Sequence, residues 1–313
     1  MRIAVTLGDP RGIGPEIVAA ALAQPLDAEV TVFGAQDQIQ NLPANHRIGI
    51  GKWELGSGDQ ARDLTRAMRA GKIAGHAVEA AVKLALDGEV DAIVTAPAHK
   101  HALNLAGFPY PGHTEWLAHL AGDVDVAMML AAEPDSESPD LPSLRVVLGT
   151  THVAFRDVPS LLTVDRLVRV GRVTQQGLRN WFGIEQPRIA LCALNPHGGE
   201  SGLFGDEEER ILKPAATAIG AAGPLPADTV FVRALHGEFD AVIAPYHDVG
   251  MTAIKVAAFG RAVNVTLGLP FPRTSPDHGT AFDIAGTGKA DASSMRAALE
   301  LAIKLARKRA GTP

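Results

Sequence analysis

The chain has very little cysteine and no long hydrophobic run, and both absences narrow the class of protein. Cys192 is the one cysteine in 313 residues, so the chain cannot form a disulfide with itself. No apolar stretch reaches the roughly 18 residues that a membrane-spanning helix needs, and the N-terminal MRIAVTLGDP lacks the apolar core of a signal peptide. The net charge of −6 gives no general attraction to nucleic acids. We therefore expect a cytoplasmic globular protein that acts on neither membranes nor nucleic acids.

Short β-branched apolar runs alternate with longer helical patterns along the chain. Such runs predict strands at residues 3–7, 30–33, 92–94, 146–148, 189–194 and 241–244. Helical spacing of apolar residues predicts helices at 15–22, 73–86, 163–183 and 293–309. This alternation predicts an α/β fold with largely parallel sheets, and the length suggests two core-forming units.

Local signals refine three of these segments. Thr163 is a suitable N-cap and Gly183 a suitable stop for the helix between them. Asp206, with Glu209 three residues later, predicts a capping box for a helix that runs through Ile219. The polar, proline-bearing segment 132–143 is typical of an exposed loop.

Four predicted strands are followed within a few residues by a histidine. These histidines are His99, His152, His197 and His247. Ligand sites of open α/β sheets lie where the strands' carboxyl ends emerge, so parallel strands would bring these imidazoles to one rim. A single loop histidine most often bonds to backbone, but several at the same topological position favour a site. Three imidazoles with open positions commonly hold a catalytic divalent metal, although this spacing alone is no metal signature.

Two glycine-containing segments are further candidates. GDPRGIGPE, with Gly8, Gly12 and Gly14, lies between a strand and a helix, and either forms a tight turn or contacts a ligand. It is not the dinucleotide fingerprint, because Ile17 occupies the third glycine position. PYPGHTEWLA places His113 and Thr114 at the start of a helix, where Thr114 either caps the helix or helps to bind an anion.

The C-terminal third contains polar residues within apolar segments. Lys255, Asn264 and Arg273 lie in or beside strand-like runs, where recognition of phosphate or carboxylate explains a cation better than solvation does. Arg261 is better explained as a solvated surface charge. DHGTAFDIAGTGKAD, which follows, has no helical or strand period and indicates an irregular loop.

Together these motifs resemble the 4-hydroxythreonine-4-phosphate dehydrogenases of pyridoxal phosphate synthesis. The motifs appear in that family's order from the N-terminus to about residue 291: GDPRGIGPEI, PGHTE, TTH, NPHGGE, GPLPADT, YHDVG, VNVTLGLPFPRTS and DHGTAFDIAGTGKAD. The GIGPE turn and the DIAG segment also resemble the wider isocitrate and isopropylmalate dehydrogenase fold group.

The resemblance implies a role for each matching residue. His152, His197 and His247 match the family's three ligands for a divalent metal such as zinc, magnesium or cobalt. The matching substrate contacts are His113, Thr114, Lys255, Asn264 and Arg273. The loop positions His278, Gly279, Thr280, Ala281, Ile284 and Ala285 match the region that lines the adenosine half of NAD (or NADP). Lys255, Lys100 and Asp248 are the candidates for moving the alcohol proton or supporting a ligand.

The resemblance also implies an architecture and a reaction. It predicts two α/β domains with the active site in the cleft between them: residues 1–118 with 251–313, and residues 119–250. The active site would be shared between the subunits of a homodimer. The implied reaction is metal-assisted, NAD-dependent oxidation of 4-phosphooxy-L-threonine, followed by loss of CO2 to give 3-amino-2-oxopropyl phosphate.

Alternatives remain open both for the substrate and for the class of protein. Sister groups of the family oxidise 4-phospho-D-threonate or 4-phospho-D-erythronate, and a related branch oxidises aromatic dihydrodiols. Retention of GHTE and of LPFPRTS with Arg273 favours a phosphorylated substrate. A phosphate acyltransferase and a non-catalytic binding protein are the candidates from other classes.

Overall fold

The fold was analysed in a computed structural model that describes residues 1–53, 63–135, 139–140, 142–258 and 260–311. The strands are β1 (Arg2–Thr6), β2 (Glu29–Gly34), β3 (His46–Gly49), β4 (Ala92–Thr95), β5 (Ala127–Ala132), β6 (Leu144–Leu148), β7 (Ile189–Cys192), β8 (Ala222–Leu225), β9 (Ala241–Ala244), β10 (Val263–Leu267) and β11 (Arg273–Pro276). The α-helices are α1 (Gly14–Leu22), α2 (Gln36–Ile39), α3 (Asp63–Leu86), α4 (Lys100–Leu105), α5 (His113–Leu120), α6 (Val158–Leu161), α7 (Val164–Phe182), α8 (Lys213–Ile219), α9 (Ala227–Leu235), α10 (His247–Ala257) and α11 (Ser293–Arg309).

The chain forms two compact units. Unit 1 comprises Met1–Val124 and Leu269–Pro313, and unit 2 comprises Asp125–Gly268. The sequence predicted the boundaries at 118 and 250 instead. The second boundary lies later because α10 continues without a break from residue 247 to 257, and β10 then pairs with β5. Lys255 and Asn264 therefore belong to unit 2.

Unit 1 contains a parallel sheet with the strand order β3-β2-β1-β4-β11. Helix α3 packs on β1 and β2, while α11 packs on β4, β11 and α1. Strands β1, β2, β4 and β11 are mostly buried because apolar β-branched residues face helices from both sides of a parallel sheet, whereas the edge strand β3 is exposed. This arrangement confirms the predicted βα alternation.

Unit 2 contains a mixed sheet with the order β10-β5-β6-β9-β7-β8. β5 pairs antiparallel with both β10 and β6, and the remaining pairs are parallel. The three parallel strands β6, β9 and β7 are neighbours, so their carboxyl ends emerge together. Cys192 lies in β7, where burial raises the pKa of its thiol to about 12, as expected of an unreactive packed cysteine.

The predicted caps are confirmed for α7 and wrong for the helical segment that follows Asp206. The Thr163 side chain accepts a hydrogen bond from the Arg166 backbone N–H (3.2 Å), and Gly183 closes α7 with a left-handed φ of 70°. The capping box at Asp206 and Glu209 is wrong. Residues Glu208–Leu212 form a π-helical turn, and Asp206 and Glu209 instead form ion pairs four residues ahead, with Arg210 and Lys213.

The start of α3 and the segment 132–143 can also be compared with the sequence prediction. Helix α3 begins at residue 63, whereas the spacing of apolar residues predicts a start at residue 73. The prediction missed the first turns because they are more polar than the later ones. The predicted loop 132–143 connects β5 and β6, and its residues 136–138 and 141 lie outside the described part of the chain. Among the described helices, none has the length and apolar character needed to cross a membrane.

Candidate active site

Three histidines lie at the carboxyl ends of three neighbouring parallel strands in unit 2. His152 follows β6, His247 follows β9 and begins α10, and His197 follows β7. Because β9 lies between β6 and β7, His247 has a histidine-bearing strand on each side. The rings of His152 and His247 are adjacent, with centroids 5.4 Å apart. His99 follows β4 in unit 1 and so does not belong to this group.

His197 occupies an irregular turn and is directed by local contacts. Its Nδ1 lies 3.1 Å from Oε2 of Glu200, and its ring is largely exposed. Within the described residues, no three histidine, cysteine or acidic side chains come together closely enough to hold a metal ion. Two of the three predicted ligands are thus adjacent, and the third is on the next strand of the sheet.

The His152–His247 pair fits a shared divalent ion. Two imidazole nitrogens bound at about 2.1 Å to one tetrahedral ion place their ring centroids roughly 5 Å apart, close to the observed separation. His247 Nδ1 lies 2.7 Å from Oδ1 of the exposed Asp248, and an Nδ1–H donated to that carboxylate leaves the Nε2 lone pair for a ligand. Two imidazole donors therefore suit a divalent metal at this pair, and the described residues place no third ligand beside them.

Unit 1 contains a buried arginine, Arg273, whose charge acts on the half-buried His113. Arg273 begins β11, is 3% exposed, and donates from its guanidinium to Oγ1 of Thr95 at 2.5 Å. Burial lowers the pKa of Arg273 to about 10, so the group remains charged at neutral pH. His113 begins α5, stacks on Trp116 with ring centroids 6.1 Å apart, and has an enclosed Nε2 without a hydrogen-bond partner among the described residues.

Burial, together with the charge of Arg273, lowers the pKa of His113 to about 3. The unfolded chain therefore takes up a proton at His113 below pH 6.5, whereas the folded chain does so only near pH 3. The associated stability is fully present above pH 6.5 and is lost as the pH falls. We expect His113 to remove about 2 kcal/mol from the free energy of unfolding between pH 6.5 and pH 5.

Urea denaturation of a His113→Asn variant tests this expectation. The variant should lose less stability than the wild type over that pH interval, whatever its stability at pH 7. His119→Asn is the matched control, since His119 lies on the same helix with its side chain 52% exposed. Identical pH slopes for wild type and His113→Asn would contradict the buried, neutral imidazole.

The glycine-rich turn after β1 packs against the predicted cofactor loop, and both belong to unit 1. The Ile13 N–H donates to the carbonyl of Thr280 (3.0 Å), and a Cβ on Gly12 would lie 2.7 Å from that same oxygen. Glu16 accepts a hydrogen bond from the Gly286 N–H (3.0 Å). The turn is therefore a tight turn whose small residues permit close contact with the loop, which the sequence alone left open.

The cofactor loop is also fixed by an aromatic contact and borders a cavity. Phe282 lies between the guanidinium of Arg11 (5.0 Å from the ring centroid) and the ring of His99 (5.1 Å between centroids). Arg11 in turn pairs with the buried carboxylate of Asp9 at 2.7 Å. A cavity of about 340 Å³ is lined by Pro10, Arg11, Gly12, Pro15, Glu16, Gln38, Trp53, Arg66, Ala285 and Gly286.

The remaining predicted residues are placed as follows. Asn264 lies in β10 opposite Leu130, with its Oδ1 buried and without a hydrogen-bond partner in the described part of the chain. Lys255 is half-buried on α10, the helix that begins at His247. Lys100 is exposed at the start of α4. Thr114 lies in the first turn of α5, whose N-cap is Gly112, so it does not cap this helix.

Sequence reasoning missed three residues that shape these sites. Thr95 ends β4 and bonds to Arg273, Asp9 holds Arg11, and Glu208 holds the segment that leads to His197. A polar residue within or directly after an apolar run was the available signal for Thr95 and Asp9. Glu208 lies among several acidic residues, and nothing in the local sequence separates it from its neighbours.

Comparisons of sequence place the chain among known proteins. A family model described as "Pyridoxal phosphate biosynthetic protein PdxA" matches residues 15–302. A 4-hydroxythreonine-4-phosphate dehydrogenase of Geobacter metallireducens is 44% identical, covering 100% of this chain and 98% of that protein. A D-threonate 4-phosphate dehydrogenase of Salmonella typhimurium is 42% identical, covering 97% of this chain and 98% of that protein.

Comparisons of structure agree with those of sequence. The crystal structure of a 4-hydroxythreonine-4-phosphate dehydrogenase from Klebsiella pneumoniae matches with a TM-score of 0.83 at 40% identity, covering 97% of this chain and 99% of that one. A β-decarboxylating dehydrogenase from Thermococcus kodakarensis matches with a TM-score of 0.51 at 15% identity, covering 99% of this chain and 84% of that one. The second match concerns the fold alone, and it confirms the predicted α/β class.

Proposed function

The chain belongs to the family of the pyridoxal phosphate biosynthetic protein PdxA, a family of dehydrogenases, and from this membership we propose that it oxidises 4-phosphooxy-L-threonine with NAD. In the proposed reaction the C3–H bond of the substrate breaks, its hydride passes to the nicotinamide ring, and the hydroxyl proton passes to a base. The resulting 2-amino-3-oxo-4-phosphooxybutanoate loses its carboxylate as CO2 and takes up a proton at C2, which gives 3-amino-2-oxopropyl phosphate. Family membership among dehydrogenases removes the acyltransferase and the pure binding protein from consideration.

The buried guanidinium of Arg273, whose charge acts on His113 at the start of α5, is the single observation that carries this proposal. Arg273 offers a forked, charged donor set, and a buried guanidinium is worth more to an anion than an exposed one because water does not screen it. His113 and Thr114 lie in the first turn of α5, where free backbone N–H groups also favour an anion. We assign the phosphate to these three residues.

We also propose chemical roles for residues of unit 2. We propose that His152 and His247 hold a divalent ion with His197 as third ligand, and that Asp248 fixes the His247 tautomer. A divalent ion in that place supplies positive charge that favours both the alkoxide and the departure of CO2. Lys255 is the preferred proton acceptor, since it is half-buried on the helix of His247, whereas Lys100 is exposed. We assign Asn264, with its buried Oδ1, to a substrate contact.

The cofactor proposal rests on the loop of residues 278–285 and the cavity beside it. The members proposed to line the adenosine half of the dinucleotide are His278, Gly279, Thr280, Ala281, Ile284 and Ala285. Support comes from the cavity of about 340 Å³ bordered by Ala285, and from the contacts through which the turn after β1 holds Thr280 in place.

We further propose that the protein is a homodimer that associates through unit 2. Unit 2 exposes the large apolar side chains of Phe155 (70%), Leu203 (72%) and Val256 (82%). Helices α9 and α10 border a groove whose lining is mostly apolar, and its volume is about 570 Å³. Contiguous apolar surface of this kind is typical of protein interfaces.

A substrate series tests the proposed function. Initial rates of NADH formation are compared for 4-phosphooxy-L-threonine, 4-phospho-D-threonate and 4-phospho-D-erythronate, each with an added divalent metal. We expect the first compound to give the highest kcat/KM. The second candidate is oxidation of 4-phospho-D-threonate, which the 42% identity to a D-threonate 4-phosphate dehydrogenase favours. Turnover of D-threonate phosphate alone would replace the specific substrate and leave the phosphate assignment intact.

A further inference from the structure

Unit 2 contains a buried carboxylate that takes no part in the chemistry proposed above. Glu208 is 2% exposed and begins the π-helical turn Glu208–Leu212. Its Oε1 accepts the backbone N–H groups of Leu194 (2.9 Å) and Asn195 (2.7 Å), and its Oε2 accepts the Asn195 side-chain amide (2.9 Å). Burying a carboxylate costs several kcal/mol unless donors compensate it, and here three N–H groups do so.

The segment that Glu208 holds leads directly into an unusual turn. His197, Gly198, Gly199, Glu200 and Ser201 have φ values of 53°, 70°, 79°, 43° and 58°, so five consecutive residues are left-handed. The three of them that are not glycine disfavour this conformation by about 1 kcal/mol each. Such a turn persists only where its surroundings determine it.

Glu208 contacts the turn at two points. It binds the backbone immediately before the turn, at Leu194 and Asn195, and it packs against the turn itself at Gly199. A Cβ on Gly199 would lie 2.8 Å from Oε2 of Glu208, so a larger residue there would force the carboxylate to shift. Within the turn, the Gly198 N–H donates to the carbonyl of Asn195 (3.2 Å), which continues the fixed geometry to the next residue.

We propose that Glu208 is a positioning residue whose buried carboxylate fixes the start of the left-handed turn and thereby sets where His197 is presented. This inference rests on the proposed function, which assigns His197 to the active site. Glu208 does not touch substrate or cofactor in this proposal. It acts through the backbone of Leu194 and Asn195, and Asn195 is followed directly by Pro196 and His197.

The test is a double-mutant cycle between Glu208→Gln and His197→Ala. Glutamine keeps the shape but replaces one acceptor oxygen by an amide that opposes the Asn195 amide. We expect Glu208→Gln to lower kcat/KM for 4-phosphooxy-L-threonine by about 30-fold in the wild type, since a displacement of about 1 Å can cost two orders of magnitude. In the His197→Ala background the same change should lower kcat/KM by less than about threefold. Glu209→Gln, an exposed neighbour with the same loss of charge, is the control and should leave kcat/KM unchanged.

Hydrogen exchange gives a readout that does not depend on activity. In Glu208→Gln, amide exchange at Leu194 and Asn195 should accelerate by about tenfold or more relative to the wild type, while the strands of unit 2 remain protected. If Glu208→Gln does not fold, Asn195→Ala serves instead, because it removes only the side-chain donor and should accelerate exchange at the same amides.

The outcomes separate the inference from the function on which it rests. Equal losses of kcat/KM in the two backgrounds, or unchanged exchange at residues 194 and 195, would overturn the positioning role of Glu208. A His197→Ala variant as active as the wild type would remove His197 from the active site. That result would overturn the proposed role of His197, even if amide exchange at residues 194 and 195 is faster in Glu208→Gln than in the wild type.

Discussion

His247→Ala is expected to lower kcat/KM by about a thousandfold, or about 4 kcal/mol of transition-state stabilisation. His247 follows the middle one of three neighbouring parallel strands, and it is one member of the adjacent imidazole pair with His152. Its loss therefore removes one of the three ligands that we assign to a divalent ion. Alanine at the N-terminus of α10 is compatible with the helix, so the thermal midpoint should change little.

The measurement combines steady-state kinetics with metal analysis of the purified protein. Wild type should contain or bind a divalent ion, and His247→Ala should bind it at least about tenfold more weakly. His236→Ala is the matched control in the same unit, since His236 is exposed at the end of α9. Undiminished turnover by His247→Ala, or turnover that survives complete removal of metal by a chelator, would rule out the metal assignment.

Arg273→Met is expected to have an effect of similar size, but on substrate binding. The variant removes the buried guanidinium beside Thr95 and keeps an unbranched side chain of similar length. Losing a buried, charged hydrogen-bonding partner of the phosphate should raise KM by about a hundredfold to a thousandfold, that is about 3–4 kcal/mol. The KM of Arg273→Lys should lie between those of the wild type and of Arg273→Met, because a lysine retains the charge but not the forked donors.

The stability of these variants distinguishes binding from folding. Arg273→Met removes the guanidinium that donates to Thr95, which should cost about 1–3 kcal/mol of stability, so the kinetics are measured below the variant's own unfolding transition. The KM for NAD should also remain within about threefold, since we assign the dinucleotide to a different loop. A KM for the phosphorylated substrate equal to that of the wild type would contradict the phosphate assignment.

Periodicity and caps were sufficient for much of the fold. Thr163 and Gly183 mark the two ends of α7 correctly, because both signals act within one helical turn. The strands β3, β5, β8, β10 and β11 were not predicted. β10 and β5 form an antiparallel pair whose partners lie more than 130 residues apart, and such pairing leaves no local trace in the sequence.

The candidate site shows the same division between local and distant information. The strand-end positions of His152 and His247 predicted their proximity, since neighbouring parallel strands end at one edge. The orientation of His197 depends on five left-handed residues and on Glu208, and neither follows from residue type. Likewise the burial that lowers the pKa of His113 results from tertiary packing, which a sequence pattern does not specify.

The division of unit 1 into two chain segments has a consequence for the order of events during synthesis on the ribosome. Unit 2 is one uninterrupted segment, so all six strands of its sheet are available once Gly268 has emerged. The sheet of unit 1 is still incomplete at that point, because β11 is the second neighbour of β4. Helix α11, which covers both strands, is translated after β11. The N-terminal segment, although translated first, is therefore the last to complete its sheet, and its apolar edge strand is exposed to chaperones and to self-association throughout that interval.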